Sequence, residues 1–282
     1  MKSIEGFYFD RITGSRYSQS TEHYHKGFEI YCMTEGECGY FIDDSIFEVK
    51  AGNIVFIPPG LIHRTIYSDN PHSRLLINFS EKYIPEGLRG SVGIMKRLYQ
   101  DKRLFAEIVD LVESLECEWH GNDPYSREMV ESLIARIMVL LARDGTLEPA
   151  EEHSLATDAV HFIREKYAED VHLSTVAESL SVSAEHLCRV FRQRTGFGFN
   201  EYLTLVRLQR AERLLEEEPG MSISEVAYAC GFNDSNYFSH RFKQAYGYSP
   251  KKQRAERQRV EEAGPVSDDV RIVRRTKGKK NK

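Results

Sequence analysis

The sequence predicts an α+β protein of two domains. An N-terminal β-barrel of jelly-roll type carries a helical pair, and an all-α C-terminal domain follows. Three observations predict this. From residue 18 to about 80, apolar residues fall in short runs separated by turn residues. From Phe105 onward they recur at three- and four-residue intervals instead. Between Leu173 and Gly247 one two-helix pattern occurs twice. A length of 282 residues suits about two domains, and a hydrophobic fraction of 41% is enough for ordinary packed cores.

Phe28 to Met33 and Cys38 to Ile42 read as strands flanking a turn at Gly36. Ile46 to Val49 follows a turn at Asp43-Asp44. Asn53 to Ile57 stops at Pro58-Pro59-Gly60, and Leu75 to Phe79 resumes strand character. Many short strands of this kind close into a small barrel, here given residues 1–90. Within 91–145, Phe105, Ile108, Leu111, Val112 and Leu115 share one helix face. Val130, Ile134, Ile137, Met138 and Leu141 share another, and Gly121-Asn122-Asp123-Pro124 separates the two helices. Such a pair either packs on the barrel or supplies a dimer surface. Residues 146–156 are polar, contain Pro149 and read as a linker. Asp158 to Tyr167 opens the second domain (157–254) as a helix, and 255–282 reads as a basic, disordered tail.

Composition excludes several classes. No apolar run approaches the roughly 18 residues of a membrane helix, and the N-terminus, with Glu5 and Asp10, lacks the apolar core of a secretory signal. Cys32, Cys38, Cys117, Cys188 and Cys230 are odd in number and form no CxxC pair, so reduced thiols in a cytoplasmic protein are expected. The net charge is -5 but unevenly spread. Residues 1–150 carry 16 Lys and Arg against 23 Asp and Glu, 151–250 carry 10 against 15, and 251–282 carry 12 against 5. The repeat region is therefore acidic on average. Its cations Arg189, Arg192, Arg194, Arg241 and Lys243 nevertheless fall on the second helix of each repeat, and the basic tail adds nonspecific attraction to phosphates.

In the first copy Leu173-Ser174-Thr175-Val176-Ala177 leads to Leu187, Phe191 and Gly196; in the second Ile223-Ser224-Glu225-Val226-Ala227 leads to Phe238, Phe242 and Gly247. Ala177 and Ala227 are 50 positions apart, Leu187 and Phe238 are 51, so the extra residue falls in the turn. Each copy reads as a helix-turn-helix whose second helix enters a DNA major groove. Leu187, Val190 and Phe191 should face the core. Glu185, Cys188 and Arg189, and in the second copy Ser235, Asn236, Ser239 and His240, are left to meet bases. Arg192, Arg194 and Lys243 suit phosphates, which position without reading sequence. Ser183 is placed to cap its helix, and Ser222 with Glu225 has capping-box spacing. Asn200 to Glu218 reads as one helix setting the distance between the readers, which one DNA turn fixes at about 34–36 Å.

From Ala177 to Arg254 the chain resembles the DNA-binding domain of the AraC/XylS family of transcriptional regulators, through Leu187, Phe191, Gly196, Tyr202, Arg207, Leu208, Ala211, Gly231, Phe232, Phe238, Phe242, Gly247 and Pro250. The resemblance implies two readers joined by a helix, acting beside a promoter. His240 departs from it, since the family often has Arg there.

His23-Tyr24-His25, Glu29 and Gly36, followed by Gly52, Pro58, Gly60 and His63, resemble the two cupin motifs, HxH(x3)E(x6)G and G(x5)PxG(x2)H, without the glycine that usually precedes the first. His23, His25 and Glu29 share strand parity. The resemblance implies that His23, His25, Glu29 and His63 surround a site in the barrel. That site holds either a small-molecule effector, with Tyr31 beside it, or a divalent transition metal. Tyr24 and Tyr67 join as pocket or core, Phe28 and Phe56 read as core, and His72, away from the motif, reads as an exposed loop histidine. The expected protein is a cytoplasmic, homodimeric regulator with no catalytic residues. Its partners are promoter DNA, a small-molecule effector (a sugar is one class) and RNA polymerase, with activation the expected sign. A metal-dependent cupin enzyme carrying a DNA-targeting domain is the competing class.

Overall fold

A computed structural model describes residues 4–15, 27–121, 124–145 and 154–255. His23, Tyr24, His25, the linker stretch 146–153 and the tail beyond 255 lie outside the described residues. Among the described residues eight strands form two sheets: β1 (Phe7–Ser15), β2 (Phe28–Glu35), β3 (Glu37–Ile42), β4 (Ser45–Lys50), β5 (Asn53–Ile57), β6 (His63–Tyr67), β7 (His72–Phe79) and β8 (Leu98–Tyr99). The first sheet has the order β1-β7-β2-β5-β8 and the second β4-β3-β6. All pairings are antiparallel.

Strand alternation divides labour in the first sheet. Phe28, Ile30 and Cys32 on β2, Leu75, Ile77 and Phe79 on β7, and Ile54 and Phe56 on β5 face one way and join a single apolar cluster. Against them pack α1 (Lys102–His120) and α2 (Ser126–Arg143), through Ile108, Leu115, Val130, Ile134 and Leu141, all at or near zero exposure. The helical pair thus packs on the barrel. Each such buried side chain contributes about 1.5–3 kcal/mol. Arg11 on β1 reaches Glu113 and Glu116 of α1 at 3.2 and 2.6 Å, tying sheet to helix at the rim.

Four expectations change. β1 begins at Phe7, ahead of the first strand read from the sequence, and β6 falls where none was read. The barrel extends past residue 90, because Leu98–Tyr99 pairs with β5. His72 is not an exposed loop residue: it opens β7, is 1% exposed, and stacks on Tyr67 at 4.0 Å between ring centroids. The aromatic face next to it, rather than the polar loop before it, decides its place.

Among the described residues the second domain contains α3 (Leu155–Lys166), α4 (Leu173–Ser179), α5 (Ala184–Thr195), α6 (Phe199–Glu217), α7 (Ile223–Ala229) and α8 (Ser235–Tyr246), and 250–255 are helical after them. Ser154 caps α3, so the expected linker already gives way to helix before residue 156. The side chain of Ser183 accepts from the His186 N–H, and Ser222 and Glu225 close a capping box. Gly196 and Gly247 end α5 and α8 in the left-handed region. Two cores result. Val176, Leu187, Phe191, Phe199, Tyr202 and Val206 serve the first unit, and Leu208, Ala211, Leu215, Val226, Phe238 and Phe242 the second. The single helix α6 supplies both, its first half to one unit and its second half to the other. Arg207 on α6 donates to the carbonyls of Tyr167 at 2.7 Å and Glu169 at 2.9 Å, satisfying the chain end after α3.

Candidate DNA-reading surface and sensor pocket

On α5, burying Leu187 and Phe191 turns the other faces outward. Glu185, Cys188, Arg189 and Arg192 are exposed and line one groove of about 760 Å³ with Leu173, Ala184 and Gln193. The candidate base-facing residues of this helix and the phosphate candidate Arg192 therefore lie together. Arg194 is half-buried and is not among the residues lining that groove. Gln193 shares the groove four residues after Arg189, one helical turn further along, which makes it a further candidate for the reading face. An Arg Nη2 to His186 Nδ1 contact of 3.1 Å rests the Arg189 guanidinium on the same surface. Arg and Gln side chains are suited to bidentate contacts with guanine and adenine edges.

On α8, Phe238 and Phe242 are fully buried, while Asn236, Tyr237, His240 and Lys243 are exposed and Ser235 and Ser239 half-buried. Asp234 caps this helix, accepting from Asn236 and Tyr237 N–H groups at 2.7 and 3.2 Å. Tyr237, 51% exposed, holds the place of His186 in α5; the sequence marks it as part of the family resemblance but not as base-facing. Both reading faces are open to solvent.

Inside the barrel the alternate residues of the same strands meet. Glu29 on β2 is 1% exposed; its carboxylate accepts from the Tyr40 hydroxyl at 2.7 Å and the Asn78 amide at 3.0 Å. His63 on β6 lies beside Tyr40, with ring centroids 6.4 Å apart, and its Nδ1 is 2.8 Å from the Leu61 carbonyl. Tyr31 packs edge-on to Tyr40 at 5.4 Å, and its hydroxyl is 3.3 Å from that of Tyr67. Arg74 crosses over the Tyr31 ring and donates to Asp10 at 2.9 Å. So Glu29, Tyr31 and His63, placed in one site by the sequence, share one interior. Tyr67, a pocket-or-core candidate from the sequence, joins them; Tyr40, Asn78 and Arg74 lie outside the motif and only the sheet pairing brings them in. Phe28 and Phe56 are core, stacked 6.0 Å apart on the helical side. Burial raises the Tyr31, Tyr40 and Tyr67 hydroxyls above the usual phenol range and Cys38 to about 12, so these groups stay protonated hydrogen-bond donors. Among the described residues no three His, Cys, Asp or Glu gather as a metal cluster, and His23 and His25 lie outside those residues. No helix among the described residues is long and apolar enough to cross a membrane.

The outer face of the second sheet is covered by the C-terminal domain. Phe41 and Ile62 enter the core of the first reading unit. The Arg164 guanidinium of α3 binds the Asp43 carboxylate through both nitrogens, and the Tyr202 hydroxyl donates to the Asp43 carbonyl at 3.1 Å.

Comparison with known proteins matches this architecture. Residues 7–138 match the AraC-like ligand binding domain, and residues 176–256 match a helix-turn-helix domain. The HTH-type transcriptional activator RhaS of Salmonella arizonae is 27% identical over 241 residues, covering 82% of this chain and 86% of its own. The Msm operon regulatory protein of Streptococcus mutans is 28% identical over 242 residues, covering 80% and 84%. Among solved structures, the C-terminal domain of AraT, a response regulator from Geobacillus stearothermophilus, is 32% identical over 38% of this chain and 88% of that one, with a TM-score of 0.36. With a ligand-binding barrel ahead of a duplicated helix-turn-helix, the chain belongs to the AraC/XylS family of transcriptional regulators.

Proposed function

We propose that this regulator activates transcription in the cytoplasm as a homodimer. In this reading it binds promoter DNA through α5 and α8 and responds to a hydroxyl-rich small molecule, of the sugar class, held in the barrel. Arg189 reads guanine, Asn236 reads adenine, and Glu185, Cys188, Ser235, Ser239 and His240 flank them on the base-facing side. Arg192, Arg194 and Lys243 hold phosphates. The observation that carries the DNA reading is the repeated exposure of one helix face in both units, with Leu187, Phe191, Phe238 and Phe242 buried behind it. In the barrel, the Glu29 carboxylate, the Asn78 amide and the Tyr31, Tyr40 and Tyr67 hydroxyls alternate donors with acceptors beside aromatic faces. That combination suits ring hydroxyls. The protein acts without catalysis; RNA polymerase is the partner that turns binding into activation.

Selection from a random DNA pool with the full chain tests this. The expected product is a motif of two blocks centred one helical turn apart, about 10–10.5 base pairs. An unenriched pool at physiological salt overturns the reading. A thermal-shift screen with a panel of free sugars tests the effector class, because a ligand that prefers the native state raises its apparent stability.

A further inference from the structure

One end of the barrel interior holds more hydrogen-bond donors than acceptors. On β7, Leu75, Ile77 and Phe79 join the cluster under the helical pair, so strand alternation turns Arg74, Leu76 and Asn78 inward. Leu76 accordingly belongs to the interior cluster, and Asn78 binds Glu29. The Arg74 side chain is 11% exposed, with its guanidinium carbon 5.8 Å over the Tyr31 ring. Its Nη2 donates to Asp10 at 2.9 Å. Its Nε and Nη1 are buried and have no hydrogen-bond partner among the described residues. Burial works against the Arg74 charge, but Tyr67 and Asp10 more than offset it, so the cation is kept.

Two tyrosines add to the excess. The Tyr31 and Tyr67 hydroxyls are 3.3 Å apart, and burial raises both above the usual phenol range, so both keep their hydrogens. One hydrogen is used between the pair. The other meets at best a sulfur among the described residues, Met33 Sδ or Cys38 Sγ, each 3.8 Å from the Tyr31 oxygen. Sulfur is a weak acceptor.

A buried donor without an acceptor is costly, and a charged one more so. The group that fits this end therefore brings acceptors and no hydrogen. A carboxylate does so, with two oxygens and about four lone-pair sites; a sugar hydroxyl brings a hydrogen that this end has nothing to receive. Contact between guanidinium and carboxylate is also charge-assisted, which strengthens it.

We infer that Arg74, with Tyr31 and Tyr67, forms a carboxylate subsite, and that the effector is a sugar acid. The inference rests on the sensor reading of the barrel and narrows it from sugars at large to those that carry a carboxylate. Further along β7 and β2, the Asn78 amide, the Glu29 carboxylate and the Tyr40 hydroxyl supply the mixed donors and acceptors that ring hydroxyls need. The two ends share the Tyr31 ring, which packs on Tyr40 at 5.4 Å and lies under the Arg74 guanidinium. A molecule the size of one sugar ring thus reaches both.

Calorimetric titration of the full chain at pH 7.5 tests this with galacturonate and glucuronate, their neutral methyl esters, and galactose and glucose. At least one free acid is expected to bind at least tenfold more tightly than its own ester and its parent sugar. The ester keeps the ring and removes the charge, so that comparison depends on no variant. Arg74→Gln is expected to weaken the acid at least tenfold and the ester less than twofold. If Arg74→Gln does not fold, Tyr67→Phe takes its place, with the acid weakened at least threefold and the ester unchanged. An ester or a parent sugar that binds as tightly as the acid overturns the carboxylate subsite and leaves the sensor reading standing. An acid preference that survives Arg74→Gln overturns the assignment to Arg74. A panel in which nothing binds contradicts the sugar-class sensor reading, and this inference with it.

Discussion

Arg164 and Asp43, 121 positions apart in the chain, form a two-pronged ion pair between α3 and the β3–β4 turn. Burial lowers the pKa of this guanidinium, but Tyr202 and the Asp43 carboxylate raise it further, so the net shift is upward and the charge is kept. Replacing Arg164 by Met keeps much of the apolar stem and leaves the Asp43 carboxylate without its partner. Losing one partner of a charged hydrogen-bonded pair costs about 1–3 kcal/mol. Each side chain is 27% exposed, so the loss belongs near the bottom of that range. Chemical denaturation followed in the C-terminal domain should show a lower midpoint; an unmoved midpoint denies the pair any role in holding the domains.

The turns of the two units differ at one backbone position. Ser181 in the first has φ 58°, and Gly231 in the second has φ 81°. Left-handed backbone costs a residue with a Cβ about 1–2 kcal/mol relative to glycine. Ser181→Gly should therefore stabilise the first unit, by about 1 kcal/mol once the greater chain entropy of glycine is set against the gain. Gly231→Ala should do the reverse and more, since its Cβ would stand 2.8 Å from the Tyr167 carbonyl oxygen. Thermal melts of the two variants moving in the same direction would contradict the assignment of these turns.

Arg189 and Gln193 occupy one groove on α5. Arg189→Ala should lose about 1–3 kcal/mol of sequence-specific binding and relax the preference at one base pair. Lys243→Ala should weaken all sequences alike and reduce the salt slope by about one. Binding to the selected fragment and its single-base variants, across a salt series, separates the two. An Arg189→Ala profile parallel to wild type at every base would remove it from the reading set.

His72 gives the barrel a pH dependence of definite sign. Burial lowers its pKa from the ordinary 6.5. The unfolded chain therefore binds a proton at a pH where the folded barrel does not. The stability of the neutral form is fully present above 6.5 and is lost as pH falls from there towards the lowered folded value. His72→Phe keeps a ring against Tyr67 and removes the titration, so its melting temperature should fall less than that of wild type between pH 7.5 and 5. Parallel curves would show that this imidazole does not titrate on unfolding.

The C-terminal domain was the more legible part. Leu187, Phe191, Phe238 and Phe242 follow helical spacing, and duplication doubles the signal; caps at Ser183 and Ser222 were readable because capping is local. The barrel was less so. β1 escaped because Asp10 and Arg11 break its alternation with charges that the fold satisfies far away, on Arg74 and on α1. β6 escaped because neither of its faces is apolar: one looks into a polar interior, the other onto a second domain. His72 was misread for a related cause, since its covering ring comes from Tyr67 on another strand. Glu29 and His63 were marked by motif spacing, but Tyr40, Asn78 and Arg74 depend on strand register. The docking of Phe41 and Asp43 depends on contacts more than 100 positions apart, which no local pattern carries.

In the proposed function α6 holds the two readers one duplex turn apart. Affinity of the full chain should be measured for its selected DNA site and for the same site with five base pairs inserted between the two blocks. Half a turn places the second block on the far side of the duplex, so affinity is expected to fall at least tenfold, towards that of a single block. Equal affinity for the two DNAs would contradict a paired, rigidly spaced reading.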